Sequence, residues 1–139
     1  MRKGVVWLGL FWCLFPPAAW ATDVAKSVSL VHLLAAPARF EGQRVEVRGF
    51  CRFAFEEHAL YLSREDSEIV NTASAVWLNT GTAQYKGVND AFVFVSGVFT
   101  AKEGGHLGGW GGVLRDITVL ERTPTRAEME KSRQPDTRR

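Results

Sequence analysis

Apolar and polar residues alternate with a period of two over residues 44–56, and this is the clearest pattern in the chain. Because successive side chains of a β-strand point to opposite faces, the alternation predicts a strand of about 12 residues. The apolar face carries Val45, Val47, Gly49, Cys51, Phe53 and Phe55, and the other face carries Arg44, Glu46, Arg48, Phe50, Arg52, Ala54 and Glu56. Gly49 lets so long a strand bend, as a strand of a small barrel must.

Shorter patterns predict the remaining elements. Strands are expected over residues 59–63, 75–79, 91–100 and 113–120, and one helical turn over residues 64–70. Apolar residues at helical spacing predict a helix over residues 24–36, capped by Ser27 or Ser29 and ended by Pro37. Its apolar stripe comprises Val24, Val28, Val31 and Ala35, flanked by Leu30 and Leu34.

These elements together predict an all-β domain with one N-terminal helix. A long first strand, five strands in all and an insertion between the second and third fit a five-stranded, partly open barrel of OB-like type. A fragment of a β-sandwich is the alternative architecture. The domain is expected to span residues 22–122.

Four stretches resemble those of a family of small exported bacterial proteins with an OB-like fold and no assigned activity. They are PARFEGQRVEVRGF at residues 37–50, ALYLSRED at 59–66, AVWL at 75–78, and GVFTAK at 97–102 followed by GHLG at 105–108. The resemblance implies the OB-like fold and implies no catalytic residue. Such relatives often have Met at the position of Leu107.

A second apolar run, over residues 5–15, predicts export. It follows two basic residues and is too short for a membrane-spanning helix, which needs about 20 residues. Ala19 and Ala21 place small residues where a signal peptidase reads the chain. We therefore expect a signal peptide over residues 1–21, a mature chain that starts at Thr22 without a transmembrane segment, and a periplasmic or secreted protein.

Cleavage changes the charge balance. The full chain has 17 basic and 15 acidic residues, and the mature chain keeps 15 of each. Residues 22–122 hold 10 basic and 12 acidic residues, whereas residues 123–139 hold 5 and 3. A nucleic-acid-binding protein normally needs a basic surface, so a nucleic-acid partner is disfavoured. The tail over residues 123–139 is charged and poor in apolar residues, which predicts disorder.

The mature chain has one cysteine, Cys51, which excludes an internal disulfide. Its place on the apolar strand face predicts a buried, unreactive thiol.

The most conspicuous candidate site is a segment with six glycines among nine residues, at positions 104–112. His106 and Trp110 lie within it. Glycine lets a ligand approach the main chain, Trp offers a stacking face, and His donates or accepts hydrogen bonds. The segment is thus a candidate binding loop. The alternative is a flexible hairpin whose Trp packs over the end of the barrel.

A second candidate contact is Phe50, which lies between Arg48 and Arg52 on the polar face of the long strand. Aromatic and Arg side chains are enriched at binding hot spots. The alternative is that the strand exchanges faces at Gly49 and buries Phe50.

Catalytic and metal chemistry find little support. His32, His58 and His106 are scattered without a metal-binding spacing, and Glu56, Glu57 and His58 are read as a solvated turn. No catalytic residue, cofactor or metal is therefore assigned.

The sequence favours an exported, non-enzymatic binding module whose partner is a protein, peptide, glycan or small molecule. The alternatives are an oligonucleotide-binding OB domain and a small periplasmic enzyme that uses His106 with an acidic partner.

Overall fold

The computed structural model of the chain describes residues 24–80 and 87–133. Its strands are β1 (Lys26–Ser27), β2 (Arg44–Ala54), β3 (Glu57–Tyr61), β4 (Ala75–Leu78), β5 (Ala91–Thr100) and β6 (Val113–Arg122). Its α-helices are α1 (Leu30–Ala35), α2 (Arg64–Glu68) and α3 (Arg126–Arg133), and short 3₁₀ helices cover Pro37–Phe40, Thr72–Ser74 and His106–Gly108. The predicted signal peptide, residues 1–21, lies outside the described residues.

The strands form one sheet that closes into a ring. β2 pairs antiparallel with β3 over residues 50–54 and with β5 over residues 44–51. The ring continues from β3 through β4 and β6 to β5, with β4 and β6 parallel. The predicted β-rich class is confirmed. Where the sequence predicts five strands, the described residues form six, because the two-residue β1 adds to β2 beside the ring.

The apolar face of β2 forms the interior of the ring. Val45, Val47 and Cys51 are buried there, as the alternation predicts. The other strands contribute Leu60, Val76, Leu78, Val93, Val95, Phe99 and Leu114 to the same cluster. The pattern ends before Phe55, which lies beyond β2 and is 92% exposed.

The N-terminal helix is shorter than predicted, and it buries a different face. It begins after Ser29, whose side chain accepts a hydrogen bond from the backbone N–H of His32, and it ends before Pro37. Leu30 and Leu33 are buried, whereas Val31 is exposed. The predicted stripe is wrong because the larger side chains of Leu30 and Leu33 occupy the buried face, which leaves Val31 on the exposed one.

Phe50 is buried, so its predicted role as a ligand contact is wrong. It is 1% exposed and lies on the outer face of β2 in a second cluster with Ala59, Tyr61 and Ala75. The Arg64 guanidinium covers its ring at 4.7 Å from the centroid. At the adjacent Gly49, a Cβ atom would lie 2.6 Å from the carbonyl oxygen of Tyr61, so glycine allows β2 and β3 to approach closely.

The turn between β2 and β3 is tighter than predicted. Phe55 and Glu56 alone connect the strands, and Glu56 adopts a φ of 55°. Glu57 and His58 therefore belong to β3 instead of to the turn, which brings His58 opposite Phe53.

Cys51 is fully buried, and burial raises the pKa of its thiol to about 12, with a smaller contribution from the Asp90 charge. A thiol needs to be a thiolate to react, and both effects disfavour that form.

We expect a chain starting at residue 22 to show no reaction with a chromogenic disulfide reagent in its native state. One thiol per chain should react after denaturation. Rapid native labelling would contradict the assigned position of Cys51 inside the ring.

The tail contains an ordered helix, where disorder was predicted from residue 123 onwards. Thr125 and Glu128 form a reciprocal capping box at the start of α3. The Thr125 backbone N–H donates to Glu128 Oε2 at 2.7 Å, and the Glu128 N–H donates to Thr125 Oγ1 at 3.3 Å. Arg122 also binds Glu128, and these bonds lower the Glu128 pKa to about 2. Local capping therefore orders a segment whose residues are not buried.

Candidate ligand-binding site

The glycine-rich segment and the β2–β3 turn meet at one end of the ring. His106 Nε2 lies 3.6 Å from Glu56 Oε2, and both side chains are partly exposed. The segment also folds onto itself, because the Gly108 N–H donates to the Gly105 carbonyl and the Trp110 N–H donates to the Gly104 carbonyl. It is thus a compact loop and not an extended hairpin.

Trp77 on β4 is the centre of an aromatic cluster that comprises His58, Trp77, His106 and Trp110. Its ring is nearly parallel to that of His58, with centroids 5.3 Å apart, and to that of His106, at 5.9 Å. Trp110 lies at 5.4 Å with a tilt of 58°. Three aromatic side chains from two separate segments of the chain, β3 and the glycine-rich loop, therefore fix the position of the Trp77 ring.

Gly105 lets the loop lie directly on Trp77. A Cβ atom at position 105 would lie 2.5 Å from the Cβ atom of Trp77. The backbone there has φ 64° and ψ −154°, a conformation that is essentially restricted to glycine. Two residues further on, Leu107 is held at φ 59° with a 90% exposed side chain.

Trp110 packs inward from the same loop. It is partly buried against the second cluster, and its ring contacts Tyr61 edge to face at 5.9 Å. The predicted binding loop needs a largely exposed Trp110, whereas this arrangement matches the alternative in which Trp110 covers the domain. Trp110 anchors the loop, and its partly buried ring is not a free stacking face.

Two rings beneath the loop, those of His58 and Tyr61, are held in their neutral forms. Burial lowers the pKa of His58, which favours the uncharged imidazole. Burial raises the pKa of Tyr61, and so does the hydrogen bond that its hydroxyl donates to Glu57 at 2.7 Å. Uncharged rings stack without the cost of burying a charge.

A shallow groove of about 400 Å³ opens beside the cluster. It is lined by Trp77, Asn79, Glu103, Gly104, Gly105 and Val113. Glu103 forms an ion pair with Arg115, whose Nη1 lies 3.0 Å from Glu103 Oε1. Arg115 itself does not line the groove. The groove therefore combines an aromatic ring, an amide, a carboxylate held by an arginine, and accessible glycine backbone.

Arg48 and Arg52 do not line this groove. Arg52 forms an ion pair with Asp90 at 2.6 Å, and the Arg48 guanidinium lies 5.3 Å from the centroid of the Phe94 ring. Of the predicted site residues, only His106 and Trp110 belong to the aromatic cluster.

Three residues that line the groove are not among the predicted site residues: Trp77, Asn79 and Glu103. Two of them carry a signal in the sequence, because strand alternation places Ala75, Trp77 and Asn79 on one face and the apolar Val76 and Leu78 on the other. A Trp on the strand face that points away from the core indicates an aromatic side chain at the outer surface of the sheet.

The histidines do not form a metal site in the described part of the chain. His32 lies on α1, away from the aromatic cluster, and residues 24–80 and 87–133 contain no group of three or more His, Cys, Asp or Glu arranged to hold a metal ion.

Comparison of the chain with protein-family models, with curated proteins and with solved structures finds no match.

Proposed function

We propose that this protein is an exported binding module of OB-like type, and that its ligand occupies the groove beside Trp77. The observation that carries the proposal is the aromatic cluster, in which Trp77 is held by three aromatic side chains and still lines an open groove. A ring positioned in this way needs no reorganisation when a ligand binds, and this reduces the entropy lost on association.

The order of strands in the ring supports the OB-like assignment. The five long strands follow the order β2-β3-β4-β6-β5 and return to β2, with a parallel pairing between β4 and β6. OB barrels bind ligands on their second and third strands and on the loops between strands 1 and 2 and between strands 4 and 5. The corresponding parts here carry Trp77, Glu56 and His106, which all belong to or contact the aromatic cluster.

The experiment that tests this function is an NMR titration of the ¹⁵N-labelled mature chain with three chemically different probes. These are neutral hexasaccharides, a lysine-rich decapeptide and a fifteen-residue oligothymidylate. At least one probe should give saturable shifts at Asn79, Glu103 and Gly105. Shifts confined to other surfaces, or none with any probe at millimolar concentration, would overturn the proposal.

Oligonucleotide binding is the weaker candidate. Within the part of the chain that the structure describes, no Lys or Arg lines the groove, and Glu103 is the one charged residue in its lining. Binding driven by counterion release needs cations at the phosphates. We expect no submicromolar complex with the oligothymidylate near physiological salt, and a steeply salt-dependent complex would favour this candidate instead.

Catalysis by His106 and Glu56 is not proposed. Neither residue lines the groove in which the ligand is proposed to bind.

Export is proposed on the pattern of residues 1–21, which lie outside the described ranges. Among the described residues, no helix is long and apolar enough to cross a bilayer.

Processing should occur after Ala21. Intact-mass measurement of protein recovered from an exporting bacterial host should match a chain that begins at Thr22. A retained Met1 or an added lipid mass would contradict the proposed localisation.

A further inference from the structure

We infer that the ligand of the groove beside Trp77 is a neutral oligosaccharide. The inference rests on the proposed binding function and narrows it to one chemical class. It follows from the residues that line the groove, from the pairing of their charges and from the groove's shape.

The aromatic ring supplies the apolar contact that a sugar requires. One face of a pyranose presents C–H groups, which pack against exposed aromatic surface. Trp77 is held in place by His58, His106 and Trp110, and the part that these rings leave exposed lines the groove. Because the ring is fixed before binding, packing a sugar on it orders few side chains.

The polar residues supply hydrogen bonds in both directions. The Asn79 amide has both donors and acceptors, and the Glu103 carboxylate accepts from hydroxyl groups. Arg115 donates to Glu103 Oε1 at 3.0 Å, and this bond leaves the other carboxylate oxygen, Oε2, to accept from a sugar hydroxyl. Hydrogen bonds to a charged group contribute more than neutral ones.

The charge pairing disfavours charged ligands. An anionic ligand meets the carboxylate of Glu103, and residues 24–80 and 87–133 place no Lys or Arg in the lining. For a cationic ligand, the charge of that carboxylate is already offset by Arg115, whose Nη1 lies 3.0 Å from Glu103 Oε1. A second carboxylate at this end of the ring, that of Glu56, lies 3.6 Å from His106 Nε2. A ligand rich in hydroxyl groups and without net charge matches this surface.

The groove's form suits a chain of sugar units. Its volume of about 400 Å³ lies within the range of ligand sites, roughly 300–1,000 Å³. It is shallow and open, so that units beyond the one on Trp77 can extend into solvent or over the exposed Leu107.

The test uses the mature chain and neutral hexasaccharides of glucose, of N-acetylglucosamine and of galactose as probes, with isothermal titration calorimetry and the NMR shifts described above. At least one hexasaccharide should bind saturably. Glu103→Gln and Asn79→Ala should each weaken that affinity by about tenfold or more, because each loses a hydrogen bond in the complex. Both residues are exposed at the surface, so the fold is expected to survive.

Glu68→Gln is the matched control, because Glu68 is an exposed carboxylate on α2 that does not line the groove. It should bind the hexasaccharide like the wild type. Equal losses for Glu103→Gln and Glu68→Gln would overturn the assignment of Glu103 to a sugar site.

The three probe classes separate failure of this inference from failure of the proposed function. Shifts in the groove with the decapeptide or the oligothymidylate, and with no hexasaccharide, would overturn the carbohydrate assignment and leave the binding function standing. No shifts in the groove with any probe would overturn both.

Discussion

Replacing Trp110 with alanine is expected to lower the free energy of unfolding by about 3 kcal/mol. The ring packs on the cluster of Phe50, Ala59, Tyr61 and Ala75, and its removal leaves a cavity over these side chains. Trp→Ala in a core costs about 3–5 kcal/mol, and the partial exposure of Trp110 places the effect at the lower end. For a domain of this size the melting temperature should fall by more than about 10 °C.

Leu107→Ala is the control for this measurement, because Leu107 belongs to the same loop and is 90% exposed. Its melting curve should stay within about 0.5 kcal/mol of wild type, as for most surface substitutions. If Trp110→Ala melts like Leu107→Ala, then Trp110 does not anchor the loop and returns as a candidate for direct ligand contact.

The second large effect is expected at Gly105. In Gly105→Ala the new methyl group would lie 2.5 Å from the Cβ atom of Trp77 in a backbone conformation that only glycine adopts readily. Backbone strain of this kind costs about 1–3 kcal/mol, and overpacking costs a similar amount. We expect a loss of about 2–5 kcal/mol in the unfolding free energy, together with loss of ligand binding as the loop moves away from Trp77.

Gly108→Ala is the control for a positive φ without a steric clash. Gly108 also has a positive φ, 72°, but nothing lies within 4 Å of a Cβ atom built there. It should lose only about 1–2 kcal/mol, the cost of a left-handed conformation for a residue with a side chain. Chemical denaturation of the two variants measures the difference. Equal losses would show that the contact between the loop and Trp77 is not tight.

The alternation of residue types carried most of the information about strands. Val45, Val47 and Cys51 are buried on one face because a period of two is a local property of extended chain, which residues a few positions apart already express. Capping is local in the same way. Ser29 begins α1 as one of the two predicted caps, and the spacing of Thr125 and Glu128 is a readable capping box in a segment that composition alone marks as disordered.

The burial of Phe50 could not be predicted from the local alternation of residues. Its neighbours Arg48 and Arg52 mark its face as polar, but the packing of Tyr61, Ala75 and Arg64 over that face buries it. Whether an outer face is covered depends on elements distant in the chain, and the alternation within one strand carries no information about them.

The sequence by itself determined the order and approximate bounds of the strands, the inner face of β2, the cap of α1 and the glycine-rich segment as an unusual loop. Only the tertiary structure decided that Trp110 anchors this loop and that Trp77 stacks with His58 and His106 to line a groove. The physical reason is that these residues lie far apart in the sequence. Their rings meet only when the sheet closes into a ring and Gly105 allows the loop backbone to lie against Trp77.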